Sequence, residues 1–181
     1  MIAEKTTERA QDLIEEAKKE TAGKAIRRVC FVCTGNTCRS PMAAAVANAL
    51  AVHAAEEQKL PQVTLEAYSA GLYASENQPI SPLALSALEN GGVPAVPGHD
   101  YHRHTAHTLT AEEAESYDLL IGLTGRHGME LMMRFPQKAA GICCMPADIP
   151  DPYGGDAETY RKCLEQIVSG VRALLFGGEP A

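Results

Sequence analysis

Val29-Cys30-Phe31-Val32-Cys33-Thr34-Gly35-Asn36-Thr37-Cys38-Arg39-Ser40-Pro41 sets a short apolar run directly against a polar turn and a helix start. The run Val29 to Val32 reads as a buried strand. Gly35 and Asn36 tolerate the left-handed backbone that a tight turn needs. Ser40 reads as an N-cap and Pro41 as the first helical residue. The Ala-rich stretch from Pro41 to Glu57 then favours helix. A loop between a strand and a helix can turn successive backbone N–H groups inward and, with the helix N-terminus, form an anion cradle.

Outward from this loop the alternation continues. Val63 to Tyr68 alternates like a second strand, and Ser81 to Glu89 reads as a helix stopped by Gly91-Gly92. Gly98 to His107 is a polar loop. Thr110 with Glu113 forms a capping signature. Asp118 to Leu123 is a third strand, Gly125 to Phe135 a helix with Met129, Met132 and Met133 expected in the core, and Gly141 to Met145 a fourth strand. Two prolines and two glycines make Asp148 to Gly155 a loop. Ala157 to Leu175 closes the chain as a helix. Strands alternating with helices imply an α/β fold: a four-stranded parallel sheet with helices on both faces. Residues 26–181 form one domain in this reading. Residues 1–25 are a helical extension with a narrow apolar stripe at Ala10, Leu13, Ile14 and Ala17, stopped by Gly23. A ligand site in such a sheet lies beyond the carboxyl ends of its strands, where the Cys33 and Asp151 loops both emerge.

Composition narrows the class. Apolar residues make up 45% and charged residues 22%, as in a soluble globular domain. The net charge of −7 and the lack of a Lys/Arg run argue against nucleic acid as a partner. No apolar run is long enough to span a membrane. The N-terminus lacks an apolar signal core, and Cys30, Cys143 and Cys144 sit in apolar runs. Reduced thiols and a cytoplasmic location are therefore expected, and a monomer is the default for an oligomeric state that the sequence leaves open.

The loop also carries reactive groups. Arg39 offers a planar fork for two oxygens of a phosphate. Cys33 stands at the cradle floor, where Arg39, the amides and the helix dipole favour its thiolate. A thiolate beneath a bound phosphate is placed for in-line attack on phosphorus. Ser40 can then donate to the sulfur as it leaves. One carboxyl group can protonate the leaving group and later activate water. Asp151, fixed between Pro150 and Pro152, is the first choice and Asp148 the second, with Tyr153 at the pocket entrance. Cys30 and Cys33 form a C-x-x-C, but strand alternation points the two apart. His99, His102, His104 and His107 read as polar surface rather than a metal site, and His127 as a capping or packing residue at a helix start.

Cys33 to Ala43 resembles the signature of low-molecular-weight protein tyrosine phosphatases. The resemblance runs from about Arg27 to Leu175, and the residues before Lys24 have no counterpart. Ser69-Ala70-Gly71, His104, Leu123-Thr124 with His127, and Asp151-Pro152-Tyr153 follow in the family's order. It implies the flavodoxin-like phosphatase fold, a nucleophile at Cys33, and phosphate binding by Arg39 with the amides of Thr34, Gly35, Asn36, Thr37, Cys38 and Ser40. It also implies a general acid at Asp151, supporting roles for Ser69 and His104, no metal or cofactor, and phosphorylated proteins as substrates. His107 stands where many members carry Arg.

Within the family the sequence resembles more closely the bacterial protein arginine phosphatase branch, which carries Thr where Thr37 stands. A phosphotyrosine ring benefits from an apolar slot. A guanidinium phosphate can use a hydroxyl and a carboxylate as acceptors, here Thr37 and Asp151. Gly154 also replaces a second aromatic beside the pocket. Phosphoarginine is thus favoured over phosphotyrosine. Arsenate reduction, which reuses a similar loop, is disfavoured by the Asp-Pro loop and by the lack of cysteines between Cys38 and Cys143. A dead phosphate-binding module would be expected to lose Cys33, Arg39 or Asp151. The loop's curvature suggests that Cys33 and Cys38 can form a protective disulfide under oxidation.

Overall fold

The computed structural model describes residues 26–56 and 64–177, so the N-terminal extension and its apolar stripe lie outside the described residues. Strand β1 (Ile26–Cys33) is central. It pairs in parallel with β2 (Thr64–Gly71) on one side and β3 (Leu119–Gly122) on the other, and β3 pairs in parallel with β4 (Ile142–Cys144). The strand order is β2-β1-β3-β4. This is the four-stranded parallel sheet expected from the alternation.

The period of two along β1 divides its side chains between two cores. Val29, Phe31 and Cys33 enter a cluster with Met42, Ile121, Leu164 and Ile167. Cys30 and Val32 enter the opposite cluster with Leu72, Leu120, Leu131 and Phe135. Cys30 and Cys33 therefore lie on opposite faces, as the strand reading required. The first face is covered by α1 (Arg39–Glu56), α2 (Pro82–Asn90) and α5 (Ala157–Leu175), the second by α3 (Ala111–Ser116) and α4 (Gly125–Arg134). Phe31 and Ile121 are wholly buried, each contributing about 1.5–3 kcal/mol of apolar burial. Among the described residues no helix is long and apolar enough to cross a membrane.

Helix starts follow the capping chemistry. The Ser81 hydroxyl accepts the Ala84 N–H, and Thr110 with Glu113 forms a complete capping box. Three expectations are corrected. Helix α1 begins at Arg39 rather than Pro41, with the Cys38 carbonyl accepting the Met42 N–H at 3.3 Å. Ser40 therefore sits inside the first turn and is not the N-cap, because its hydroxyl is engaged below the loop. Asn36 is the residue of the Cys33 loop with positive φ, at 56°, and Gly35 does not use its left-handed freedom. Met129, Met132 and Met133 are 68%, 44% and 79% exposed rather than core. Helix α4 turns His127, Gly128 and Leu131 inward instead. A Cβ on Gly128 would stand 2.2 Å from Cys144 Sγ, so the helix packs through its bare glycine and the methionines face outward.

Candidate active site

Four carbonyls of the loop are tied outward to the scaffold. Leu72 N–H donates to Cys33 O at 2.9 Å, Tyr73 N–H to Thr34 O at 2.9 Å, and Ser81 N–H to Thr37 O at 2.8 Å. The His104 ring bonds Asn36 O through Nε2 at 2.7 Å. A carbonyl only accepts, so the His104 proton is on Nε2. Burial lowers the His104 pKa and keeps the ring neutral. No hydrogen bond among the described residues uses the N–H groups of Gly35, Asn36, Thr37 or Cys38. The loop thus has the donors of an anion cradle.

Asn36, fully buried, is the brace of this cradle. Its Nδ2 donates to Ser40 Oγ and Ser69 Oγ, each at 3.0 Å, and its Oδ1 accepts the His107 N–H at 3.1 Å. His107 thus serves through its backbone. Its ring Nε2, buried, lies 3.2 Å from Glu113 Oε1 but out of line for a hydrogen bond. Gly71, paired with Cys33 across the sheet, has to be bare. A Cβ there would meet Thr34 O at 2.8 Å and Asn36 Cβ at 3.2 Å.

The side chains expected to carry the chemistry are held on this frame. Cys33 Sγ lies 3.1 Å from Ser40 Oγ, and Ser40 Oγ lies 3.3 Å from Ala70 O. The single Ser40 proton has both acceptors within reach, and a thiolate is the stronger of the two. Arg39 is buried and spans to the far loop, donating from Nη1 to Ile149 O at 3.2 Å and from Nη2 to Asp151 Oδ2 at 2.8 Å. Its remaining N–H donors are available to an anion. Asp151 is about half exposed, so this ion pair is screened on one side. The Tyr153 N–H donates to Asp151 Oδ1 at 3.2 Å, and the Tyr153 ring stands 82% exposed beside it.

A strand-end cysteine, a buried arginine and a carboxylate on an Asp-Pro loop meet at the carboxyl edge of a parallel sheet. The family model for low molecular weight phosphotyrosine protein phosphatase matches residues 28–179. The chain belongs to this family. It is 33% identical to a protein-arginine-phosphatase of Geobacillus stearothermophilus over 147 residues, covering 77% of this chain and 88% of the relative. It is 30% identical to the low molecular weight protein-tyrosine-phosphatase PtpB of Staphylococcus haemolyticus, covering 78% of this chain and 92% of the relative. The crystal structure of the low molecular weight protein tyrosine phosphatase from T. tengcongensis superposes with a TM-score of 0.71 at 31% identity, covering 84% of this chain and 99% of that one.

As a low-molecular-weight phosphatase the chain shows further local features. Thr37 is half-buried, and a Cβ on Gly35 would approach only its hydroxyl, at 3.9 Å. Cys38 is buried with its Sγ 3.2 Å from Ser81 Oγ and 3.3 Å from Tyr160 OH. Burial, with the Cys38 contact, pushes the Tyr160 hydroxyl up to about 12. Cys33 and Cys38 are both free thiols here. Burial pushes Cys163 and Cys143 up to about 12, and Cys30 higher still, so these three are unreactive at neutral pH. Asp148 Oδ1 accepts the Gly125 N–H at 2.7 Å and anchors the start of α4.

Sequence reading gave His127 only a capping or packing role. Its Nδ1 lies 2.9 Å from Thr124 Oγ1, but its Nε2 lies 3.1 Å from Thr34 Oγ1, inside the Cys33 loop. Burial, and then the charge of Arg39, push its pKa down to about 4. The Thr124-x-x-His127 spacing signals the cap. The partner 93 residues away has no local signal.

Proposed function

We propose that this phosphatase hydrolyses phosphoarginine in proteins through a thiophosphoryl-cysteine intermediate. The meeting of Cys33, Arg39 and Asp151 around one amide-lined loop carries the chemical part of the reading. The phosphoryl group sits on the amides of Thr34 to Ser40 and in the Arg39 fork. Cys33 thiolate attacks phosphorus and the P–N bond breaks as Asp151 protonates the departing guanidine nitrogen. The Asp151 carboxylate then takes a proton from water, whose oxygen attacks phosphorus. The P–S bond breaks and Ser40 donates to the leaving thiolate. Ser69 and His104 hold the loop through Asn36.

Arginine specificity rests on Thr37. Its hydroxyl beside Gly35, together with a carboxyl oxygen of Asp151, supplies acceptors that suit guanidinium N–H groups. Phosphotyrosine is the second reading. The exposed Tyr153 ring beside Asp151 favours it, as an aromatic wall for a substrate ring. Arsenate reduction is disfavoured, because Cys30, Cys143 and Cys163 are held as buried thiols. The free thiols suit a reducing compartment, the cytoplasm. Residues 26–181 are the phosphatase unit in this reading, with residues 1–25 an extension to it.

The deciding experiment measures kcat/KM on phosphoarginine and phosphotyrosine peptides for wild type, Thr37→Ile and Cys33→Ser. Wild type is expected to prefer phosphoarginine by about tenfold or more, the equivalent of about 1.4 kcal/mol. Thr37→Ile is expected to narrow or reverse that preference, and Cys33→Ser to abolish both activities. A wild-type preference for phosphotyrosine overturns the arginine assignment. Retained turnover by Cys33→Ser overturns the cysteine mechanism.

A further inference from the structure

We infer that His127 is a positioning residue for phosphate binding: its ring holds the Thr34 hydroxyl so that the Thr34 proton is offered to a phosphoryl oxygen at the cradle mouth. This rests on the phosphate-binding reading of the loop and adds a donor to it.

Hydrogen-bond accounting sets the direction of the chain. Thr124 Oγ1 accepts the backbone N–H of His127 at 3.3 Å and contacts His127 Nδ1 at 2.9 Å. No other acceptor for the Thr124 proton exists among the hydrogen bonds of the described residues, and we assign that proton to Nδ1. Nδ1 is then an acceptor and the ring proton sits on Nε2. Nε2–H donates to Thr34 Oγ1 at 3.1 Å. The Thr34 hydroxyl, having accepted from the ring, keeps its own proton to give. Thr34 directly follows Cys33, is exposed, and has its carbonyl pinned by the Tyr73 N–H. Its backbone is fixed and its hydroxyl is oriented from behind by a buried ring.

The relay requires a neutral imidazole, since a cation carries protons on both nitrogens and cannot accept from Thr124. The surroundings supply this. His127 is 6% exposed, and among the charged groups around it Arg39 opposes protonation while Asp151, Glu130 and Asp148 favour it more weakly than burial disfavours it.

The test measures KM and kcat on a phosphopeptide, and inorganic phosphate binding by calorimetry, for Thr34→Val, His127→Ala, His127→Gln, His127→Asn and the Thr34→Val/His127→Ala double variant. Thr34→Val and His127→Ala are each expected to weaken phosphate binding and raise KM by about 10–150-fold, the range of one hydrogen bond to a charged group, with kcat changed less. The double variant should lose no more than either single one. Gln presents an N–H where imidazole Nε2 stands and should restore binding. Asn stops at the Nδ1 position and should not. Additive losses, a fall in kcat with phosphate binding unchanged, equal rescue by Asn and Gln, or loss of a limb of the pH–rate profile in His127→Gln would each overturn the inference. Calorimetry with Cys33→Ser as background separates this outcome from the function reading, because it needs no turnover.

Discussion

Asn36 takes a left-handed φ of 56° and directs its amide at Ser40, Ser69 and the His107 N–H while its carbonyl takes the His104 ring. Truncating it to Ala removes three side-chain bonds in a buried place and puts an ordinary residue in a conformation costing about 1–2 kcal/mol. It also leaves the His107 N–H unpaired, a further cost of about 1–3 kcal/mol. Asn36→Ala is therefore expected to lose about 2–4 kcal/mol in denaturant unfolding and most of its phosphate affinity. An unchanged midpoint would show that the brace is dispensable. The turn tolerance of Asn36 was legible in the sequence, because φ preference is a property of one residue. Its partners were not, since Ser69 and His107 lie 33 and 71 residues away. The same limit hid His127. It also made Ser40 look like an N-cap, when its hydroxyl is used on Cys33 and Ala70 instead.

Helix α4 illustrates how an element is read correctly in extent and wrongly in orientation. Its limits follow from Thr124 and from the helix formers after it, but its methionines at helical spacing fit either face. The deciding feature is Gly128, which lets the helix backbone approach Cys144. That approach brings His127 to the Thr34 side of the site. Gly128→Ala is expected to destabilise by about 1–3 kcal/mol, the range for overpacking, although Ala is the better helix former. Cys144→Ala in the same chain removes the clashing sulfur and should restore most of the loss. Thermal denaturation of both variants checks this. Equal destabilisation with and without Cys144 would mean that the contact does not limit helix packing. The methionine face is expected to accept Met129→Glu and Met133→Glu with changes within about 0.5 kcal/mol.

At the scale of the whole molecule the alternation of strands and helices was enough to place the site, because a parallel sheet gathers its loops at one edge. That edge also sets how stability responds to acid. His127 and His104 are both held neutral by burial, with pKa values lowered from 6.5, to about 4 for His127. In the unfolded chain both rings protonate near 6.5. Between that value and the lowered native ones, the unfolded chain binds more protons than the folded one, so stability rises with pH there and falls on acidification. The loss begins below about pH 6.5 and is complete near the folded pKa values. Asp100, Glu130, Asp156 and Glu158, lowered by hydrogen bonds from His102, Tyr73, Thr159 and Arg161, act in the same direction but only below the usual carboxylate range. His102 is raised by its bond to Asp100, and its contribution runs the other way, being present below 6.5 and lost as pH rises. Among the described residues, the window from pH 6.5 to 4.5 thus falls chiefly to the buried histidines. Melting midpoints of wild type are expected to drop across it. His127→Gln, which cannot titrate, is expected to drop less even if its midpoint at pH 7.5 is lower. Parallel curves for the two proteins would show that His127 takes up its proton in the native state, and the neutral ring assigned to the Thr34 contact would fall with it.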